Sequence, residues 1–194
     1  MTMVVPFIET YPKTVLLGDR SKVVLRPLEE GDKMRLLTFF KGISEEERYY
    51  LKENVTSPEV LLSWTSLIDF DRVIPIVALD GDQIVGDATL HRSRAQARRH
   101  VGEIRVVVAE AYREIGLGRR LIRELLDIAS ELRLYHVFVE FVVHREEAAI
   151  HAVRSMGFRE VATLKGRIRD LWGNYEDLMI LELPLGEHEA AWRY

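Results

Sequence analysis

The chain has 194 residues, which suits one domain able to bury roughly two-thirds of its extended surface. It has no cysteine, which excludes disulfides, thiolate metal sites and cysteine nucleophiles, and a reducing, cytoplasmic setting is the natural expectation. The net charge of −4, with 47% apolar and 30% charged residues, argues against wholesale attraction to nucleic acid or anionic membrane.

Residues 1–21 read as a lead-in without a signal-peptide pattern, and no apolar run approaches the ~20 residues of a membrane span. Val23-Val24-Leu25 is a short strand ending at Arg26-Pro27. Asp32 can cap a helix that carries Leu36, Leu37 and Phe40 on one face and stops at Gly42. Ser44-Glu45-Glu46-Glu47 is a capping box opening a second short helix. Ser57-Pro58 opens a third, with Val60, Leu61, Trp64, Leu67 and Ile68 at helical spacing. Strands are expected over 73–78 and 83–90 around the hairpin signal Asp80-Gly81, and over 101–109.

Residues 118–132 form the strongest amphipathic pattern, with Leu121, Ile122, Leu125, Leu126, Ala129 and Leu132 in one stripe. The stretch 135–143 is apolar on nearly both faces, as in a strand covered on both sides. A helix over 146–156 turns Ala148, Ala149, Ala152, Val153 and Met156 inward and ends at Gly157-Phe158. Strands near 160–169 and 176–184, joined around Gly173-Asn174, close a domain over 22–185, and 186–194 is expected to be a flexible tail. The order predicts an α/β fold with a mixed sheet and helices on both faces.

The chemistry concentrates where the strand 101–109 feeds a glycine-bearing turn and then a helix. First-turn N–H groups lack intrahelical acceptors and sit at the positive end of the helix dipole, so such a turn binds anions. Gly116 and Gly118 leave the backbone open to a phosphate, and Arg119 and Arg120 add positive charge. A P-loop would need Lys-Ser/Thr after Gly118, where Arg119-Arg120 stands, and a dinucleotide fingerprint would need a third glycine where Leu121 stands. A turn serving fold geometry alone is the plain alternative.

The pattern Arg113-x-x-Gly116-x-Gly118 resembles the pyrophosphate motif of the GNAT superfamily of acyl-CoA-dependent N-acyltransferases, and the element order agrees over about 22–184. The resemblance implies the GNAT acyl-CoA N-acyltransferase fold, a mostly antiparallel mixed sheet flanked by helices. It implies acetyl-CoA as cosubstrate and no metal. Backbone groups of Val106, Val107 and Val108 would pair with pantetheine, and the amides of Arg113, Glu114, Ile115, Gly116, Leu117, Gly118 and Arg119 would hold the pyrophosphate. Glu114 places a carboxylate where glycine is common in the family.

Amine acylation needs a neutral amine, and a lysine-like amine is mostly protonated at neutral pH. Glu103, in Val101-Gly102-Glu103-Ile104-Arg105, looks like the glutamate that some GNAT enzymes use as general base, the alternative being exposure to solvent or a pair with Arg105 or Arg92. The tyrosine that often protonates the leaving thiolate is replaced by Val153, and the asparagine at the start of that helix by Glu146. Water, His144 or His151 could supply that proton.

Leu25-Arg26-Pro27-Leu28 with Asp32, Ile43-Ser44-Glu45-Glu46-Glu47-Arg48-Tyr49 and Ile68-Asp69-Phe70-Asp71-Arg72 resemble the GNAT domain of bacterial protein lysine acetyltransferases. The expected partners are therefore acetyl-CoA and an amine acceptor, either a small molecule or a protein lysine, without a membrane. A hydrophobic-rich sheet edge is compatible with a homodimer. The basic run 91–100 reads as a solvated loop, lacking the interleaved aromatics of a nucleic-acid platform. Trp172, Tyr175 and Asp177 either line an acceptor cleft or pack at a turn. A non-catalytic acyl-CoA-binding sensor is the competing class.

Overall fold

Residues 6–66 and 68–186 are described by the structure, a computed structural model. The expected lead-in contains a strand, β1 (Lys13–Leu16), which pairs antiparallel with β2 (Lys22–Pro27). Three helices follow, α1 (Lys33–Gly42), α2 (Glu45–Tyr49) and α3 (Pro58–Ser66). The hairpin of β3 (Val73–Asp80) and β4 (Gln83–Arg92) turns through Gly81, whose φ of 55° suits glycine. Then come β5 (Val101–Val108), α4 (Leu117–Glu131), β6 (His136–Val142), α5 (Glu147–Ser155), β7 (Arg159–Arg169) and β8 (Tyr175–Pro184). Among the described residues the strands form one sheet in the order β1-β2-β3-β4-β5-β6-β8-β7, with β5 and β6 parallel. The tail expected from Gly186 lies, past Gly186 itself, outside the described residues, as does Leu67.

Two compact units can be told apart. The first runs up to Thr89 and takes in Val106–Leu125. Its apolar cluster joins Leu36, Phe39 and Phe40 of α1 and Leu61 of α3 to Val77 and Leu79 of β3, with Val107 of β5 packed against it. The opposite face of β3 and β4 meets α4: a Cβ on Gly86 would stand 3.0 Å from Leu121 and 3.3 Å from Leu117. Any larger residue there would require those leucine side chains to give way by a few tenths of an ångström.

Polar groups organise this unit in two places that the sequence reading misjudged. Asp32 is not an ordinary helix cap. Its backbone is already helical and its side chain makes no capping bond to α1. Instead the buried carboxylate receives Arg26 Nη1 at 2.6 Å and Nη2 at 2.8 Å, Arg35 Nη1 at 3.2 Å and the Glu29 N–H at 3.0 Å. Arg48 performs the closure of α1, donating to the carbonyls of Phe40, Lys41 and Ile43. Glu124, buried on α4, receives the ammonium of Lys13 and the Tyr11 hydroxyl, so the N-terminal strand is tied to α4 by an ion pair.

The second unit comprises Leu90–Arg105 and the chain from Leu126 onward. Here β6 pairs with β8, and β8 with the bulged edge strand β7. A Cβ on Gly102 would come within 2.7 Å of Leu90 and 2.9 Å of Leu134, so β5 passes under those side chains only because it carries glycine there. The buried residues of α5 are Ile150 and Val153, whereas Ala148 is exposed. The expected face otherwise holds, with Ala149, Ala152 and Met156 half-buried and Val153 buried, and only Ala148 departs from it, because a small alanine at the margin of the stripe fits either side of a helix. Gly157, at φ 100°, ends α5 as expected, and Phe158 folds back with its N–H on the Val153 carbonyl at 3.2 Å.

Candidate active site

The parallel register of β5 with β6 covers Val101, Gly102 and Glu103 and ends there, although β5 itself continues to Val108. A strand that outruns its register presents edge N–H and C=O groups, which an extended ligand can pair with. Val106, Val107 and Val108 lie on this continuation and are partly buried.

A 3-10 turn follows, in which the Tyr112 N–H reaches the Ala109 carbonyl and the Arg113 N–H reaches Glu110 at 3.1 Å. The Arg113 amide is thus committed inside the turn, and the donor run attributed to 113–119 begins one residue later. Among the described residues the N–H groups of Glu114, Ile115, Gly116, Leu117 and Gly118 have no backbone acceptor. The carbonyls around them are held elsewhere: Ile115 accepts from the Gly18 N–H at 2.8 Å, and Gly116 from Arg120 at 3.0 Å. Gly116 has φ 94°, and nothing lies within 4 Å of where its Cβ would stand. Uncommitted donors, a helix N-terminus and an open backbone face fit a pyrophosphate. Arg119 is partly buried and Arg120 exposed at the same end.

The Arg113 side chain organises the turn from outside. Its Nη1 lies 2.6 Å from Glu47 Oε1, and its Nε donates to the Val108 carbonyl at 3.1 Å. Glu47 in turn receives the Ser44 hydroxyl at 2.9 Å. Burial raises the Glu47 carboxyl, but the hydrogen bonds from Arg113 and Ser44 and the Arg113 charge outweigh it and hold it below the usual range. The acidic motif 44–49 therefore fastens α2 to the cradle. Tyr112 is fixed similarly, its hydroxyl donating to Asp80 at 2.5 Å, which raises the phenol above its ordinary value.

Glu114 sits at φ 61°, a left-handed conformation that costs an L-residue about 1 kcal/mol. This is the physical reason for glycine at the position. Glu114→Gly is expected to raise stability slightly, because relief of strain competes with added chain entropy, and to tighten the binding of any phosphate-bearing ligand at this turn about threefold to tenfold by removing a carboxylate. Thermal melts and calorimetric titration check both.

Glu103, half-buried on β5, has both oxygens engaged by Arg105, Nε to Oε1 and Nη2 to Oε2, each at 2.8 Å. Residues two apart share a strand face, which brings the pair together. A carboxylate has about four lone-pair sites, and the bidentate guanidinium occupies two of them.

Val153 is fully buried, so no proton donor stands at its position. Glu146 uses its carboxylate to accept the Val142 N–H at 2.6 Å. His144 and His151 are exposed, His144 lying 3.6 Å from Glu147. Trp172 and Tyr175 do not pack at the last turn, being 68% and 74% exposed, and the Arg145 guanidinium lies over Trp172 at 5.9 Å. Asp177 is bound by Lys165 at 2.7 Å and the Gly166 N–H at 2.9 Å. In the basic run, residues 94–100 are exposed. Among the described residues no group of three or more His, Asp or Glu could hold a metal, and no helix is long and apolar enough to cross a membrane. Asp87 of β4 was not singled out from the sequence, although a lone carboxylate within Ile84-Val85-Gly86-Asp87-Ala88 was a readable signal.

The family model described as the acetyltransferase (GNAT) family matches residues 38–158. An acetyltransferase of Pseudomonas aeruginosa is 30% identical over 118 residues, 58% of this chain and 62% of that protein. The chain thus spans about three-fifths of the length of that curated relative. Among solved structures, the GNAT domain of S. lividans PAT has a TM-score of 0.75 at 20% identity, over 90% of this chain and 97% of that one. The protein yncA of Salmonella typhimurium, solved with its cofactor acetyl-CoA, has a TM-score of 0.71 at 20% identity, over 86% of this chain and 96% of that one. At that identity both likenesses concern the fold.

Proposed function

Because the chain belongs to the GNAT acetyltransferase family, we propose that it transfers the acetyl group of acetyl-CoA to a primary amine, with Glu103 as general base. The observation that carries this reading is the run of uncommitted amide donors from Glu114 to Gly118 at the start of α4. Those amides and Arg119 hold the pyrophosphate, and the edge of β5 at Val106, Val107 and Val108 receives pantetheine. Acetyl-CoA supplies an activated thioester carbon. Glu103 stands three residues before Val106 on the same strand and takes the proton of the incoming ammonium. The amine nitrogen then bonds to the acyl carbon, the carbon–sulfur bond breaks, the nitrogen gives its second proton to water, and the thiolate takes a proton from water. Both a small amine and a protein lysine fit this chemistry, and the motifs shared with bacterial protein lysine acetyltransferases favour the lysine.

The test is calorimetric titration with acetyl-CoA followed by thiol release over a panel of amines. Glu103→Gln is expected to leave the acetyl-CoA affinity within twofold of wild type and to lower kcat about a hundredfold. Unchanged turnover would remove Glu103 from the chemistry, and a folded protein that does not bind acetyl-CoA would remove the whole reading. The buried Val153 and the engaged Glu146 favour a second reading, an acyl-CoA-binding sensor, which would bind acetyl-CoA and release no thiol with any amine.

A further inference from the structure

Asp87 is a carboxylate with no structural task. Its placement follows from Gly86, whose Cβ would face Leu117 and Leu121 of α4 and lie 3.5 Å from Ala78 of β3. Neighbouring residues of a strand point to opposite faces, so Asp87 points away from α4. That is the side on which Val77 and Leu79 of β3 and Val107 of β5 pack with Leu36, Phe39 and Phe40. Two residues before Asp87, the Val85 carbonyl accepts the Ala109 N–H at 3.0 Å, so this part of β4 adjoins the end of β5 where pantetheine is expected.

Among the described residues Asp87 has no hydrogen bond and no ion pair, and burial alone pushes its carboxyl up to about 7. Yet the residue keeps part of its surface open to solvent. On the same face this unit also carries Thr89, two residues further along β4, and Arg26, the register partner of Val77 and ion-paired to Asp32, and the next titratable positions in the alternation of β4 and β5 are His91, Arg105 and Glu103. An ionisable group enclosed without a partner costs folding free energy, and a cationic ligand would offset that cost.

Resting on the acetyltransferase reading above, we propose that Asp87 binds the ammonium group of the acceptor, which selects a primary amine on an aliphatic stem with no neighbouring carboxylate. The apolar cluster on this side of the sheet suits the stem, Asp87 pairs with the charge, and an α-amino acid is disfavoured because its own carboxylate would stand beside that of Asp87.

The carboxyl of Asp87 can be followed against pH by carbon-13 NMR, assigned with Asp87→Asn, in the free and the acetyl-CoA-loaded protein. The probes are n-butylammonium, n-butanol as the uncharged control and norleucine as an α-amino acid with an n-butyl side chain. The expected result is that n-butylammonium lowers the titration midpoint by about one unit or more, n-butanol leaves it unmoved, and norleucine acts at least about tenfold more weakly. In parallel, Asp87→Asn should raise KM for n-butylamine about tenfold or more while acetyl-CoA affinity stays within twofold. A native carboxyl raised above its unfolded value of about 4 destabilises the fold as pH climbs through about 7, so Asp87→Asn should also melt higher than wild type at pH 8. A midpoint indifferent to n-butylammonium overturns the proposal, and an equal response to norleucine overturns its selectivity. Failure to bind acetyl-CoA would sink the acetyltransferase reading separately, because the carboxyl is read in the free protein as well.

Discussion

Gly118→Glu is expected to abolish acetyl-CoA binding, by roughly a thousandfold, while the protein stays folded. Folding tolerates the change for three reasons. A Cβ at Gly118 would meet only the Val108 Cγ2, at 3.7 Å, an ordinary contact. Glycine within a helix is less favourable than other residues by up to about 1 kcal/mol, so replacement gains propensity. A carboxylate in the first turn also interacts well with the helix dipole. Binding does not tolerate it, because the new carboxylate stands among the amide donors that we propose hold the pyrophosphate, and like charges brought together cost several kcal/mol. Gly118→Ala is the control, expected to keep binding and to raise stability by about 0.5–1 kcal/mol. Gly116 is a poorer place for this test, since its φ of 94° would add backbone strain to any lost affinity. Calorimetry beside thermal melts separates the two effects, and undiminished affinity in Gly118→Glu would show that the anion lies elsewhere.

Asp32→Ala is expected to cost about 3–5 kcal/mol of stability, because it strands Arg26 in the interior with its counter-charge gone. The Arg26 side chain is 15% exposed and that of Asp32 1%. Burial raises the Asp32 carboxyl, but hydrogen bonds from Arg26 and the Glu29 amide, with the charge of Arg26, outweigh it, and its folded pKa lies below the ordinary value. A depressed folded pKa contributes stability that is present above the unfolded value, about 4, and lost as pH falls through the folded one. Wild type and variant should therefore differ fully above about pH 5 and converge in stronger acid. Urea unfolding at the two extremes reads this directly, and a gap independent of pH would mean that packing, not charge, made the difference.

Periodicity disclosed the elements whose side chains decide their own environment. Residues 118–132 could only be an amphipathic helix, and Asp80-Gly81 between apolar runs could only be a tight turn. β1 was missed because Thr14 and Leu16 face solvent in a four-residue strand, and its pairing with β2 comes from backbone bonds that no pattern records. The Asp32 hub was misread because an Asp ahead of an apolar helix is normally a cap, and nothing local reveals that Arg26 and Arg35 converge on it. The glycine-bearing turn into α4 was legible from Arg113-x-x-Gly116-x-Gly118, but the commitment of the Arg113 amide and its guanidinium depends on Glu110 and Glu47 being nearby in space. Asp87 was passed over because a charge in an apolar strand is legible only when its face is known.

The ion pair between Lys13 and Glu124 joins positions 111 residues apart. On a chain synthesised from its N-terminus, Lys13 is made many seconds before its counter-charge exists, at roughly 5–20 residues per second. The loop that must close to bring them together is among the longest the chain can form, so its entropy opposes early contact. β1 can pair with β2 across its short turn well before this, but its tie to α4 must wait for Glu124, and the Gly18 bond that steadies the Ile115 carbonyl waits likewise for residue 115. Competence to hold an anion at the cradle is a late acquisition in the life of each molecule.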